Sequence, residues 1–165
     1  MQSYRVLFVC MGNICRSPAA EGVFRHFVKE MGWERHIGCD SAGTLDFHTG
    51  SPPDDRMRQA ALGRGIHLDG SARQIAANDL AEFDLVLCMD RDNLEYVRQL
   101  AGQGRLRAQI RLFCEFVSDR NIRDVPDPYY GGADGFDTVM DLLEDGCANL
   151  LEVLRRDIGI DAAAH

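Results

Sequence analysis

Cys10 ends an apolar run, Val6-Leu7-Phe8-Val9, and Arg16 stands six residues further on, in the stretch Cys10-Met11-Gly12-Asn13-Ile14-Cys15-Arg16-Ser17-Pro18. An amphipathic segment follows, so the stretch reads as a loop between a buried strand and a helix N-terminus. The unpaired N–H groups and the positive dipole end of a helix start make an anion site. A thiol in the floor of such a site, with a guanidinium beside it, points to nucleophilic attack on a phosphoryl group.

That chemistry needs a thiolate, and an unperturbed thiol is mostly protonated at neutral pH. A helix start, inward amides and Arg16 all favour the anion, and Ser17 offers a hydroxyl to the sulfur. The planar fork of Arg16 also suits two phosphoryl oxygens as they become equatorial in the transition state. Gly12 and Asn13 tolerate positive φ, which a loop with inward N–H groups is expected to use. The leaving oxygen needs a proton, and Asp127 is the candidate donor. Pro126 and Pro128 restrict the backbone around it and hold it extended, although by spacing alone it reads equally as an ordinary loop carboxylate. Tyr129 and Tyr130 offer a wall to a substrate ring, with core packing as the rival reading. Asp54 and Asp90 read as helix caps.

The elements that must position these groups alternate along the chain. Strand patterns near 5–9, 38–42, 85–88 and 110–113 are separated by helical ones, as in a parallel α/β sheet. The first helix carries Ala20, Val23, Phe24, Phe27, Val28 and Met31 on one stripe, with Pro18 in its first turn. A second should start after Pro52-Pro53-Asp54 and stop before Gly63, and a third should run from about 91 to 100. The last helix has the strongest period: Phe136, Val139, Met140, Leu143, Cys147, Leu150, Leu151 and Leu154. In such sheets ligands bind beyond the carboxyl ends of the strands, where Cys10 stands.

At 165 residues, with 45% hydrophobic and 27% charged residues and no linker or repeat, one domain over 1–160 with a loose tail at 161–165 is expected. A net charge of −8 argues against nucleic acid as a partner, so any cationic site must be local. No apolar run approaches a membrane span and no signal-peptide pattern opens the chain, which points to a cytoplasmic protein. Six cysteines in that setting read as reduced thiols, and their spacing matches no zinc site, so neither metal nor cofactor is expected. A nucleotide-binding P-loop is excluded because it needs Gly-Lys-Ser/Thr, and Lys29, the only lysine, lies within the first helix.

The stretch Cys10 to Pro18 resembles the signature loop of the low-molecular-weight protein tyrosine phosphatases. The resemblance covers nearly the whole chain, through Asp40-Ser41-Ala42-Gly43-Thr44, Gly50-Ser51-Pro52-Pro53-Asp54, Ala72-Arg73-Gln74, Leu87-Cys88-Met89-Asp90 and Asp127-Pro128-Tyr129-Tyr130. It implies a single-domain three-layer α/β sandwich with a four-stranded parallel sheet in the order 2-1-3-4. It further implies a monomer that hydrolyses phosphotyrosine in proteins through a cysteinyl-phosphate. Cys10 would be the nucleophile, Arg16 the phosphate ligand and Asp127 the acid and then the base. Met11, Gly12, Asn13, Ile14, Cys15 and Ser17 would complete the phosphate loop, with Ser17 supporting the thiolate and Asn13 and Ser41 holding the loop. Met11, Phe47, Tyr129 and Tyr130 would wall the substrate pocket. Cys15 would be the partner with which Cys10 forms a reversible, protective disulfide.

One position departs from the pattern: Gly70 stands where several family members have His, so part of the loop's support is expected to be replaced. Thioredoxin-coupled arsenate reductases share the loop but relay a disulfide through two further cysteines. Cys88 matches the first, whereas Glu95 stands where the second would be. Protein arginine phosphatases resemble the loop with Thr in place of Ile14. A non-catalytic phosphotyrosine-binding or redox-sensing domain would keep the cradle without turnover, against which all three catalytic residue types are present.

Overall fold

A computed structural model of the chain describes residues 3–132 and 134–160. The apolar run ending at Cys10 forms β1 (Tyr4–Cys10), where Val6, Leu7, Phe8 and Val9 are wholly buried. A strand apolar on both faces belongs in the middle of a covered parallel sheet. After the loop comes α1 (Arg16–Glu30), and the chain returns as β2 (Ile37–Gly43), parallel to β1. Two helices, α2 (Asp55–Leu62) and α3 (Ala77–Glu82), precede β3 (Leu85–Cys88), which pairs with the other side of β1. Then α4 (Arg91–Ala101) leads to β4 (Gln109–Leu112), which extends β3, and α5 (Asp134–Ile158) closes the fold. The sheet is wholly parallel in the order 2-1-3-4, as the resemblance implies.

Side-chain alternation along β1 divides the core. Val6, Phe8 and Cys10 pack with α1, α2 and α5, whereas Leu7 and Val9 pack with α3 and α4, so helices cover both faces in three layers. The predicted strands agree with the observed ones to within a residue at each end. The last of them ends one residue early because Phe113 leaves the sheet for a 3-10 turn, Phe113–Phe116, that buries Phe113, Cys114 and Phe116. Helix α3 is the element the period does not show. Its six residues are too few for a repeat, and polar bonds hold it: Asp79 accepts the Ala76 N–H at 2.8 Å and pairs with Arg73 at 3.0 Å. The expected tail at 161–165 lies outside the described residues.

All eight periodic positions of α5 are buried, and so is Gly146, which sets how closely the helix approaches the turn at Phe113. A Cβ there would stand 2.4 Å from the Phe113 ring, itself wholly buried. Gly146→Ala is worth up to about 1 kcal/mol in helix propensity. Overlap with an immovable ring should outweigh that, leaving a net loss of about 1–2 kcal/mol in denaturant unfolding. The loss should shrink when Phe113→Leu removes the ring.

Candidate active site

Cys10 closes β1, Gly43 closes β2, and Cys88 closes β3 two residues before Asp90, so the loop after β1 sits at the carboxyl edge of the sheet. Three backbone bonds shape that loop. Thr44 N–H donates to the Cys10 carbonyl at 2.9 Å, Leu45 N–H to that of Met11 at 3.0 Å, and Asp54 N–H to that of Ile14 at 2.8 Å. In a trans peptide the next residue's N–H points opposite to the carbonyl, so the amides of Met11, Gly12 and Cys15 point away from Thr44, Leu45 and Asp54.

Asn13 has φ of +57°, the one non-glycine residue in the left-handed region among those described. Its N–H consequently reaches the Cys10 sulfur at 3.3 Å. Gly12, expected to share that conformation, has no positive φ; it supplies space instead, since a Cβ there would lie 3.1 Å from the His48 ring. Gly43 does the same from beneath, because a Cβ would fall 2.7 Å from the Met11 carbonyl oxygen and 3.1 Å from the Asn13 nitrogen.

Side chains complete the cradle. Ser17, in the first turn of α1, lies with its hydroxyl 3.0 Å from the Cys10 sulfur. Asn13 Nδ2 donates to Ser17 Oγ at 2.8 Å and to Ser41 Oγ at 3.0 Å, while its Oδ1 accepts the Arg73 N–H at 2.9 Å. Gly70, at φ +94°, takes a turn that needs glycine and lines a cavity of about 50 Å³ behind the loop with Asn13, Glu21 and Ser41. The bonds around Asn13 are made without a side chain at that position.

Arg16 is 3% exposed, and a buried guanidinium has to be paired. Its Nη1 donates to Asp90 Oδ2 at 2.6 Å and to the Val125 carbonyl at 3.1 Å, and its Nη2 lies 3.6 Å from Asp127 Oδ2. Burial opposes the charge, but Cys10 and Asp90 outweigh it and push the Arg16 pKa upwards. Asp90 therefore has two tasks. Its Oδ1 caps α4 by accepting the Asn93 N–H at 2.8 Å, as the sequence suggests, and its other oxygen holds Arg16. Sequence reasoning missed the second task, although the position of Asp90 just beyond a strand's carboxyl end was a signal for it.

Asp127 Oδ1 accepts the Tyr129 N–H at 3.0 Å, which turns the other oxygen towards Arg16. Cys10, Arg16 and Asp127 share a cleft of about 200 Å³ whose walls include Met11, Ile14, Phe47, Tyr129 and Tyr130. Phe47 and Tyr130 stand at its rim, 80% and 84% exposed, and the Tyr129 and Tyr130 rings meet edge to face at 4.9 Å. Leu45 and His48 also line the cleft, unnoticed in the sequence because neither carries a local pattern. Burial, then the charges of Asp54 and Cys10, drive the Cys15 thiol far above the ordinary range. Cys88 packs with Leu7 and Val9 on the opposite face of the sheet from Cys10, and burial pushes its thiol up to about 12. Among the described residues, no three His, Cys, Asp or Glu side chains come together as metal ligands.

Residues 5–159 match the model of the low molecular weight phosphotyrosine protein phosphatases. The chain is 42% identical to the low molecular weight phosphotyrosine protein phosphatase of Schizosaccharomyces pombe, over 92% of this chain and 97% of that protein. The crystal structure of YfkJ from Bacillus subtilis is similar, with a TM-score of 0.86 at 38% identity, covering 95% of this chain and 98% of that one. That of a Drosophila arginine phosphatase has a TM-score of 0.87 at 29% identity, covering 91% and 97%.

The double role of Asp90 is separable. Asparagine caps a helix as well as aspartate, so Asp90→Asn should keep the cap of α4 and lose only the charged bond to Arg16, costing about 1.5–3 kcal/mol in denaturant unfolding. Losing the charged bond to Arg16, of roughly 1.5 kcal/mol, should lower kcat about tenfold on an aryl phosphate. Unchanged turnover would leave Asp90 as a cap alone.

Proposed function

This chain belongs to the low molecular weight phosphotyrosine protein phosphatase family, and on that footing we propose that Cys10, Arg16 and Asp127 carry its hydrolysis of phosphotyrosine in proteins. The observation that supports this most is the meeting of a thiol, a buried guanidinium and a carboxyl group in one cleft with aromatic walls. The Cys10 thiolate attacks phosphorus while the ester oxygen leaves with the proton of Asp127, giving a cysteinyl-phosphate and a free tyrosine. Asp127 then takes a proton from water, the resulting hydroxide displaces sulfur, and phosphate leaves with the thiolate restored. The loop amides and Arg16 hold the equatorial oxygens through both steps.

Substrate class follows from the walls. Ile14 is nearly buried in the cleft and Leu45, Phe47 and Tyr129 add apolar and aromatic surface, which suits a flat ring better than an aliphatic guanidinium. A relay through Cys88 is disfavoured by its place on the far face, and Glu95 is an exposed residue of α4 that accepts from Gln99. No helix among the described residues is long and apolar enough to cross a membrane. Cys15 fits the thiol that condenses with Cys10 sulfenic acid, giving a disulfide and water.

Hydrolysis of p-nitrophenyl phosphate and of phosphotyrosyl peptides should be abolished in Cys10→Ser and Arg16→Ala, and phosphoarginine should be a far poorer substrate. Asp127→Asn should slow esters with poor leaving groups most; an equal loss for good and poor ones would remove Asp127 as the acid. Inactivation by peroxide should reverse with dithiothreitol in the native protein and recover much less in Cys15→Ser. Equal recovery would leave Cys15 without that role.

A further inference from the structure

Behind the phosphate loop, a carboxylate on the middle of α1 is joined to the nucleophile by a chain of hydrogen bonds. Glu21 lies one turn beyond Ser17, with its side chain 13% exposed. Its Oε2 pairs with Arg25 at 2.7 Å and its Oε1 with the Ser41 hydroxyl at 2.7 Å. A carboxylate only accepts, so the Ser41 proton points at Glu21, and Ser41 Oγ has only lone pairs left for Asn13 Nδ2. Asn13 Oδ1 takes the Arg73 backbone N–H, which assigns the two ends of the amide and leaves its Nδ2 hydrogens to Ser41 and Ser17. Its second Nδ2 hydrogen goes to Ser17 Oγ at 2.8 Å. Ser17 is thereby an acceptor from Asn13, and its own proton has two destinations: the Cys10 sulfur at 3.0 Å or the Ala42 carbonyl at 3.4 Å. A Cys10 thiolate only accepts, and it is the nearer destination, the Ala42 carbonyl lying at the long limit for a hydroxyl donor, so against the thiolate the Ser17 proton goes to Cys10.

We infer that Glu21 is a positioning residue for the phosphatase reaction: by fixing the Ser41 proton it orients Asn13 and Ser17 so that the Ser17 hydroxyl donates to the Cys10 thiolate. Glu21 touches neither the cleft nor its lining, and nothing in the local sequence marks it, since it reads as one more polar residue on an amphipathic helix. Without the acceptor, the Ser41 proton turns freely, the amide of Asn13 meets a donor in part of the population, and Ser17 is released towards Ala42. A thiolate that has lost its hydroxyl donor forms less readily in mildly acidic solution, while in alkaline solution it forms regardless. The inference rests on the proposed role of Cys10 as nucleophile.

Alkylation of Cys10 by iodoacetamide, followed by mass spectrometry at about pH 6 and about pH 9, reads this directly. Glu21→Met removes the acceptor and keeps the length of the side chain. It should slow alkylation several-fold at the lower pH and little at the higher. Ser41→Ala, which cuts the next link, should do the same, and combining the two should add nothing to Ser41→Ala alone. Equal slowing at both pH values, or a further several-fold loss in the double variant, would overturn the inference, since either result means that Glu21 acts by general structural support. Native protein that alkylates at Cys10 but leaves aryl phosphates intact would overturn the proposed activity, and the alkylation cycle would still decide the part played by Glu21.

Discussion

A guanidinium that is 97% hidden from water has to be paired, and the pairing of Arg16 draws three separate parts of the chain into one place. It starts at the first residue of α1, takes Asp90 from the end of β3 and Val125 and Asp127 from the long segment before α5. Each partner does something else as well: Asp90 caps α4, Val125 donates its N–H to the Met89 carbonyl, and Asp127 accepts from Tyr129. The charge that would hold a phosphoryl group is therefore also the charge that closes the carboxyl edge of the sheet. Replacing any partner by an apolar group would leave a buried cation short of a bond, which costs more than the bond itself contributes.

Opposite this cation, the loop presents its thiol from a turn made possible by one left-handed residue. Asn13 in that conformation directs its own N–H at the sulfur and its side chain at Ser17 and Ser41, so one strained backbone position serves both inside and outside the loop. The strain is held by the surroundings: Gly43 lies underneath with no room for a methyl group, and β2 and the segment at Arg73 clamp the amide. Cys10 faces the donors of the cradle, and the Cys15 thiol is pushed up by burial and then by the charges of Asp54 and Cys10.

Much of this was legible in the chain because it depends on neighbours in sequence. Strands buried on both faces are continuous apolar runs, and α5 shows its period over eight positions, so the strands could be read to within a residue and the longer helices by their apolar stripes. The loop was equally readable, because thiol, turn residues, arginine, hydroxyl and proline fall within nine consecutive residues. What failed locally was short or held by polar bonds. Helix α3 has six residues and depends on Asp79, and the turn at Phe113 ends β4 early because burying that ring beneath Gly146 outweighs one more pair in the ladder.

An anion site with a thiol at Cys10 and a guanidinium at Arg16 is legible from the sequence alone, since spacing sets which side chains share a turn, whereas Asp127 by spacing reads equally as an ordinary loop carboxylate. Tertiary structure decided the rest. Asp90 as partner of Arg16, Leu45 and His48 as walls, and the chain of bonds from Glu21 to Ser17 join residues far apart in sequence, brought together by the order 2-1-3-4. Gly12 shows the same limit at short range: its residue type suggested a positive φ, whereas the fold gives it none and sets it close against the His48 ring.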